Sequence, residues 1–275
     1  MEQPLYEIFL WNDTYVSTRE SESLRPIQDN AIYEVLRMED GVPLFFAPHF
    51  HRLLFSAERV GRPLPYGEKT VLHQLWALKE MNGFTDSNIK MLWAESGGQS
   101  HFVVYAAPGR ELEDEDRQIG CKTSLYALER KNPNVKLQKD AYREKTAAVI
   151  REREVFELLL TDDTGCVREG SRANLFLIKE GVLYTAPAAS VLMGITRMQV
   201  LKAIRERGYE LKEELLHTED LERIEAAFLT GTSIDVLPIR SIDDMALASA
   251  EHPIVQTLKQ DYLHLVEKDK KDFHW

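Results

Sequence analysis

The sequence predicts an α+β protein of two domains, and three observations carry that prediction. Apolar residues alternate with a period of two along much of the chain, helical periodicity interrupts the alternation at intervals, and many strands are joined by hairpin turn signals. Hairpins argue against a doubly wound parallel sheet, in which crossover helices link successive strands. At 275 residues the chain can bury one large core or two smaller ones. The charged stretch 109–116 (GRELEDED) has no apolar period and marks a break. The domains are placed at 1–112 and 123–275, with 113–122 as a linker.

In the first domain, residues 6–15 (YEIFLWNDTY) combine aromatic and β-branched residues around an Asn12-Asp13 turn signal. Residues 31–37 (AIYEVLR) form a strand, Asp40-Gly41 turns the chain, and 43–46 follow as a short strand. A helix is expected from about 48 to 60, because Leu53, Leu54, Ala57 and Val60 share one face. Pro48 suits its first turn and Gly61 its end. A second helix covers about 69–81 and stops at Asn82-Gly83. Strands at 89–94 and 102–107 are joined by a turn containing Gly97-Gly98.

Beyond the charged stretch come a strand at 121–127 and a polar loop at 131–134 (KNPN). A helix over 141–153, a strand over 155–160 and a turn at 163–165 lead to VREGSRANLFLI. A hairpin through Glu180-Gly181 follows, then a helix over 196–207 that ends at Gly208. Residues 228–230 enter a Gly-Thr-Ser loop. The last helix covers about 253–266, and the tail KDKKDF is expected to fray.

Composition narrows the function classes. The chain has 34 basic and 45 acidic residues, a net charge of −11, which repels nucleic acid and anionic membranes. No apolar window is long enough to span a bilayer, and the N-terminus has no basic segment followed by an apolar one. Cys121 and Cys166 have no zinc-type spacing and suit two reduced thiols in a cytoplasmic protein. The common phosphate loops, the GxSxG elbow and HExxH are absent. His49 and His51 lie two apart on a helix, where they point to different sides, and this argues against a shared metal.

Four separated segments carry the chemistry. In order they are DNAIYEVLRMEDGVPLF with HFHRLLFSAERVG (29–61), a lysine before a helix, REGSRANLFLIKEGVLYTAP with MGITR (168–197), and FLTGTSIDVLPI (228–239). Together they resemble the class IV aminotransferases, the fold type IV pyridoxal-phosphate enzymes, which include the branched-chain and D-amino-acid aminotransferases and aminodeoxychorismate lyase. The resemblance covers about 30–240. It implies a small N-terminal α/β sandwich, a larger C-terminal pseudo-barrel, pyridoxal 5′-phosphate as cofactor, and a homodimer whose active sites are completed by the partner subunit.

The resemblance also assigns residues. The cofactor lysine of the family lies a little over thirty residues before the glutamate of its EG motif. Here that is Lys136, thirty-three residues before Glu169. Lys139 is the rival, and Lys145 would face a helix surface. Lys136 would carry the cofactor as a Schiff base and then act as the base for the α-proton, which requires it to be deprotonated. Glu169 would face the ring nitrogen and keep it protonated. Arg52, in His49-x-x-Arg52-Leu53, matches the phosphate arginine, whose rigid fork of donors suits that anion. Ile195 and Thr196 would add a helix N-terminus and a hydroxyl, and Thr232 another hydroxyl and amide. Ordinary capping by Thr196 is compatible with this.

The substrate side departs from the family. Its branched-chain enzymes carry a tyrosine where this chain has Gln28, and a Gly-Gly-Asn-Tyr run where it has Leu-Gln-Lys-Asp-Ala. Its D-amino-acid enzymes hold the substrate carboxylate with an Arg-x-His pair, whereas this chain has Gly-Gly-Gln-Ser-His101. Arg172, with Arg25 of the partner subunit, is the candidate for the α-carboxylate, Ser233 would add an amide, and Tyr33 and Trp93 would line the pocket. The expected activity is amino transfer between an amino acid, D- or branched-chain L-, and a 2-oxo acid. The alternatives are 4-amino-4-deoxychorismate lyase, which eliminates pyruvate, and a non-catalytic interaction module.

Overall fold

The computed structural model describes residues 3–19, 27, 29–110, 112–129 and 134–275. They form two compact units, one of Met1–Arg110, Val135–Ala141 and Val266–Trp275, the other of Glu111–Asn134 and Tyr142–Leu265. Gln28 and Arg25 lie outside the described residues.

The first unit contains β1 (Ile8–Trp11), β2 (Thr14–Ser17), β3 (Ile32–Glu39), β4 (Val42–Pro43), α1 (Phe46–Arg59), α2 (Glu68–Asn82), β5 (Ser87–Ser96) and β6 (Gln99–Ala107). Its antiparallel sheet has the order β2-β1-β6-β5-β3-β4. Asp40 and Gly41 both take positive φ, 52° and 78°, the requirement of a two-residue hairpin whose twist matches its strands. Leu10, Ile32, Leu36, Met38, Met91 and Val104 from the sheet share a core with Phe50, Leu53, Leu75 and Leu78 from the helices.

The second unit contains α3 (Asp114–Ile119), β7 (Cys121–Ala127), α4 (Asp140–Arg153), β8 (Glu157–Thr161), β9 (Cys166–Gly170), β10 (Asn174–Lys179), β11 (Val182–Thr185), α5 (Ile195–Arg207), β12 (Leu211–Lys212), β13 (Leu216–His217), β14 (Ala226–Gly231), β15 (Asp235–Ile242), β16 (Met245–Ala246) and α6 (Pro253–Asp272). The first residues of α4 and the last of α6 are counted with the first unit. The sheet runs β12-β11-β10-β14-β15-β7-β8-β9-β13, with β16 on β15. Its middle pairs, β15 with β7 and β7 with β8, are parallel, and the arms are mostly antiparallel. Both cysteines are free thiols, and no described helix is long and apolar enough to cross a membrane.

Two charged stretches are more regular than their composition suggests. Residues 114–119, which overlap the charged stretch 109–116 read as having no apolar period, form α3, whose first turn holds Asp114, Glu115 and Asp116. Three carboxylates there complement the helix dipole, so the charge run is a helix start. The tail does not fray either. α6 continues to Asp272, and Lys270 Nζ reaches Asp40 at 2.6 Å, Glu267 at 2.8 Å and Glu39 at 3.1 Å. Asp269 Oδ2 accepts the Phe45 N–H at 2.6 Å. Phe45 is the N-cap residue of α1, has φ 51°, and supplies no side-chain cap of its own. Two of the tail charges that read as solvated, Asp269 and Lys270, are partnered.

Candidate active site

β3 alternates buried and half-buried residues, and its buried phase reads Ile32, Glu34, Leu36, Met38. A carboxylate therefore occupies a core position. It is satisfied from α1, whose buried face includes His49 and Arg52, three residues apart and so adjacent on one side of a helix. Arg52 donates Nε to Glu34 Oε2 at 2.8 Å and Nη2 to Oε1 at 2.6 Å, a two-point contact. His49 Nδ1 lies 3.1 Å from Oε1, and the Val35 N–H donates to it at 2.9 Å. His51, on the other side of the helix, pairs with Glu68 in the open, so the two histidines are kept apart.

Residues 135–138 lie against β3 as a short added strand. The Tyr33 N–H donates to the Lys136 carbonyl at 3.0 Å, the Gln138 N–H to the Ala31 carbonyl at 2.8 Å, and the Asn30 N–H to the Gln138 carbonyl at 2.8 Å, around an Ile32–Leu137 bridge. That pairing sets the direction of Lys136. Its Nζ is 3.0 Å from Glu34 Oε1 and 5.2 Å from the centre of the Tyr33 ring, with the side chain 12% exposed. Lys139, two residues past Leu137, is half-buried, while Lys145 is exposed with Nζ 5.8 Å from the Tyr126 ring centre. Of the three lysines considered, Lys136 is the one that meets Glu34.

The electrostatics of this cluster follow from burial and mutual contact. Burial alone would raise the Glu34 pKa, but the Arg52 and Lys136 charges and the His49 and Arg52 hydrogen bonds overcome it, and the carboxyl sits well below the usual range. Burial depresses His49 to about 4 against the opposing pull of Glu34, so its contact is a hydrogen bond from a neutral ring at neutral pH, Nδ1–H to carboxylate. Lys136 is lowered, first by burial and next by the Arg52 charge, with Glu34 and Tyr33 opposing.

A second set of residues belongs to the other unit. Glu169, on β9, is 3% exposed, and its Oε2 lies 3.4 Å from the Leu192 N–H and 3.5 Å from Asn174 Nδ2. The turn after it is tied down at several points. Ser171 donates its hydroxyl (2.5 Å) and its N–H (3.1 Å) to the buried Glu157, and Tyr142 donates its hydroxyl to the Ser171 carbonyl at 2.9 Å. Asn174 Nδ2 also donates to the Leu192 carbonyl at 2.8 Å. Next in the chain, Gly194 precedes α5, and a Cβ there would come within 2.1 Å of Asn174 Oδ1. α5 opens at Ile195 with no side-chain cap hydrogen bond at Gly194, and Ile195 and Thr196 are buried. β14 delivers the Gly231-Thr232-Ser233 turn, in which Thr232 and Ser233 are half-buried, and Thr230 Oγ1 just before it is buried without a hydrogen-bond partner. Arg172 is exposed in the turn after β9, and Trp93 is a core residue whose Nε1 donates to the Arg62 carbonyl at 2.8 Å.

Glu34, His49 as a partner of Glu34, Glu157 and Asn174 were not singled out by the motifs. One signal for Glu34 was present in the sequence: a carboxylate in the apolar phase of an alternating strand.

The family model for amino-transferase class IV matches residues 31–242. D-alanine aminotransferase of Bacillus licheniformis is 26% identical over 242 residues, covering 84% of this chain and 85% of that protein. A branched-chain-amino-acid aminotransferase of Pseudomonas aeruginosa is 27% identical over 259 residues, covering 86% and 83%. Among solved structures, the Escherichia coli branched-chain amino acid aminotransferase superposes with a TM-score of 0.84 at 22% identity, over 97% of each chain. The enzyme of that name from Thermobaculum terrenum, solved in its PLP form, gives 0.82 at 21% identity, over 98% of this chain and 96% of that one. At these identities the structures establish the fold.

Proposed function

The chain belongs to the class IV aminotransferases, and we propose that it transfers an amino group between an amino acid and a 2-oxo acid with pyridoxal 5′-phosphate carried on Lys136. The observation that carries the assignment is the setting of Lys136: a lysine mostly withdrawn from solvent, 3.0 Å from a buried carboxylate, with its pKa lowered by burial and by Arg52. A lysine that must be both nucleophile and base needs that depression.

The residues fit the cofactor. In the second unit, Ile195 and Thr196 supply a helix N-terminus without a side-chain cap and Thr232 a hydroxyl, both suited to a phosphate; in the first unit, Arg52 is the guanidinium proposed for that anion, with its Nε and Nη2 on Glu34. Glu169 supplies a buried carboxylate suited to holding a proton on a ring nitrogen. When bound, the cofactor supplies an electron-withdrawing ring that stabilises negative charge at the substrate α-carbon. Lys136 Nζ takes the α-proton there. Arg172, with Ser233 and with Arg25 of the partner subunit, is assigned to the substrate carboxylate, Tyr33 is assigned to the pocket lining, and the protein is read as a cytoplasmic homodimer.

Borohydride reduction followed by peptide mapping tests the reading. The purified protein should be yellow, bleach on reduction, and carry the phosphopyridoxyl group on the peptide containing Lys136. A colourless preparation, or label on Lys139, overturns it. A panel of D- and L-amino donors against pyruvate and 2-oxoglutarate, run beside aminodeoxychorismate, should give transamination. Pyruvate released from aminodeoxychorismate without any transamination would assign the lyase reaction instead.

A further inference from the structure

We propose that Glu34 is a further catalytic residue, the anion that receives and aims the Lys136 nitrogen whenever that nitrogen is a free amine; the proposal rests on the assignment of Lys136 above. A lysine that takes a proton in a buried site faces a conflict. Burial and the Arg52 guanidinium favour the neutral amine, which makes it a base, yet the ammonium ion it becomes must be held close by until the proton is passed on. Glu34 Oε1 stands 3.0 Å from Nζ and answers the second need.

The geometry explains why Glu34 can do this while buried. Arg52 spends two nitrogens, Nε and Nη2, on the carboxylate, and that contact keeps Glu34 ionised without solvent. His49, neutral, donates from the same helix. The Arg52–Glu34 pair is neutral as a whole, but the carboxylate is the part that touches Nζ. Lys136 therefore meets the negative end of a fixed pair, and the main-chain pairing of residues 135–138 to β3 keeps it there. Without Glu34, the Arg52 charge would no longer be offset by a carboxylate at Nζ. Sequence separations of 18 and 102 residues join the three side chains, so the arrangement is a tertiary one.

The test uses the full chain freed of cofactor. Lys136 is acetylated competitively over a range of pH, and the extent is read by mass spectrometry. In Glu34→Gln the pH of half-maximal labelling should fall by about one to three units, the effect of an opposite charge at this range, a tenfold to thousandfold gain in reactive amine at low pH. Glu34→Asp should return the midpoint toward the parent value. A midpoint that is unchanged or raised in Glu34→Gln overturns the proposal. Should Glu34→Gln not fold, the carboxyl carbon of Glu34 is followed by NMR in the parent and in Lys136→Met. A pH response present in the parent and missing from Lys136→Met supports the contact, and the same response in both overturns it. Borohydride label on Lys136 combined with an unmoved labelling midpoint removes the role of Glu34 alone, whereas label elsewhere removes the lysine assignment itself.

Discussion

Replacing His49 by asparagine should make the protein less sensitive to mild acid. In the native chain the ring is buried against Glu34, Arg52 and Lys136, and its pKa is lowered from 6.5 to about 4, chiefly by burial. An unfolded chain leaves the same ring at about 6.5. Between these values the unfolded state binds a proton that the native state refuses, so stability falls as the pH drops through the window. The lowered value places the loss below 6.5 and ends it near 4. A difference of 2.5 units at about 1.4 kcal/mol per unit gives roughly 3 kcal/mol across the window. Asparagine can still donate from a nitrogen near the position of Nδ1, and it does not titrate. Glu34 acts in a lower window: its native pKa is well below 4.5, so its contribution is full above that value and is lost only as the pH falls further.

Urea unfolding at half-unit steps from pH 7.5 to 4.5 provides the assay, with NMR titration of the imidazole as a direct check. Whatever the substitution costs at pH 7, the gap between variant and parent should then close, or reverse, by about 2–3 kcal/mol as the pH falls. Parallel pH profiles would refute the reasoning, as would a native His49 that titrates near 6.5.

Gly194→Ala forces a Cβ into the space of Asn174 Oδ1. The expected result is a stability loss of about 1–3 kcal/mol from overpacking, together with weaker cofactor retention, because Asn174 also reaches toward Glu169; normal melting and normal retention after dialysis would contradict this. Asp269→Ala removes the acceptor of the Phe45 N–H. The lost cap should cost about 1 kcal/mol and lower Tm by roughly 2–4 °C, while Asp269→Asn, which keeps an acceptor oxygen, should melt close to the parent. Arg172→Leu should raise KM for amino donors roughly tenfold or more, the worth of a charged hydrogen bond, with a smaller change in kcat; an unchanged KM would exclude this residue from carboxylate binding.

What could be read from the sequence divides along a physical line. Features that depend on neighbours in the chain were legible: the Asp40-Gly41 turn, which needs two positive φ angles, and α1 and α2, whose apolar spacing repeats every turn. The short helix Asp114–Ile119 was missed because six residues offer too little periodicity to see. The end of α6 was missed because a run of charges looks the same whether it is solvated or paired, and Lys270 finds two of its partners 230 and 231 residues away.

Glu34 exposes the same limit at the site. Its register in β3 was available from the alternation, but a carboxylate in a core register is unfavourable until its cations are supplied. One lies 18 residues on and another 102 residues on. A buried ion cluster of this kind is a poor way to gain stability, since well-packed apolar side chains often do as well without the desolvation cost. A local rule broken in the core, with every charged partner of the offending group supplied from elsewhere, is best accounted for by chemistry that needs those charges. The lysine identified by motif and the carboxylate identified by geometry are in direct contact, and that contact gives the broken rule its purpose: Glu34 is in the core because Lys136 must be there.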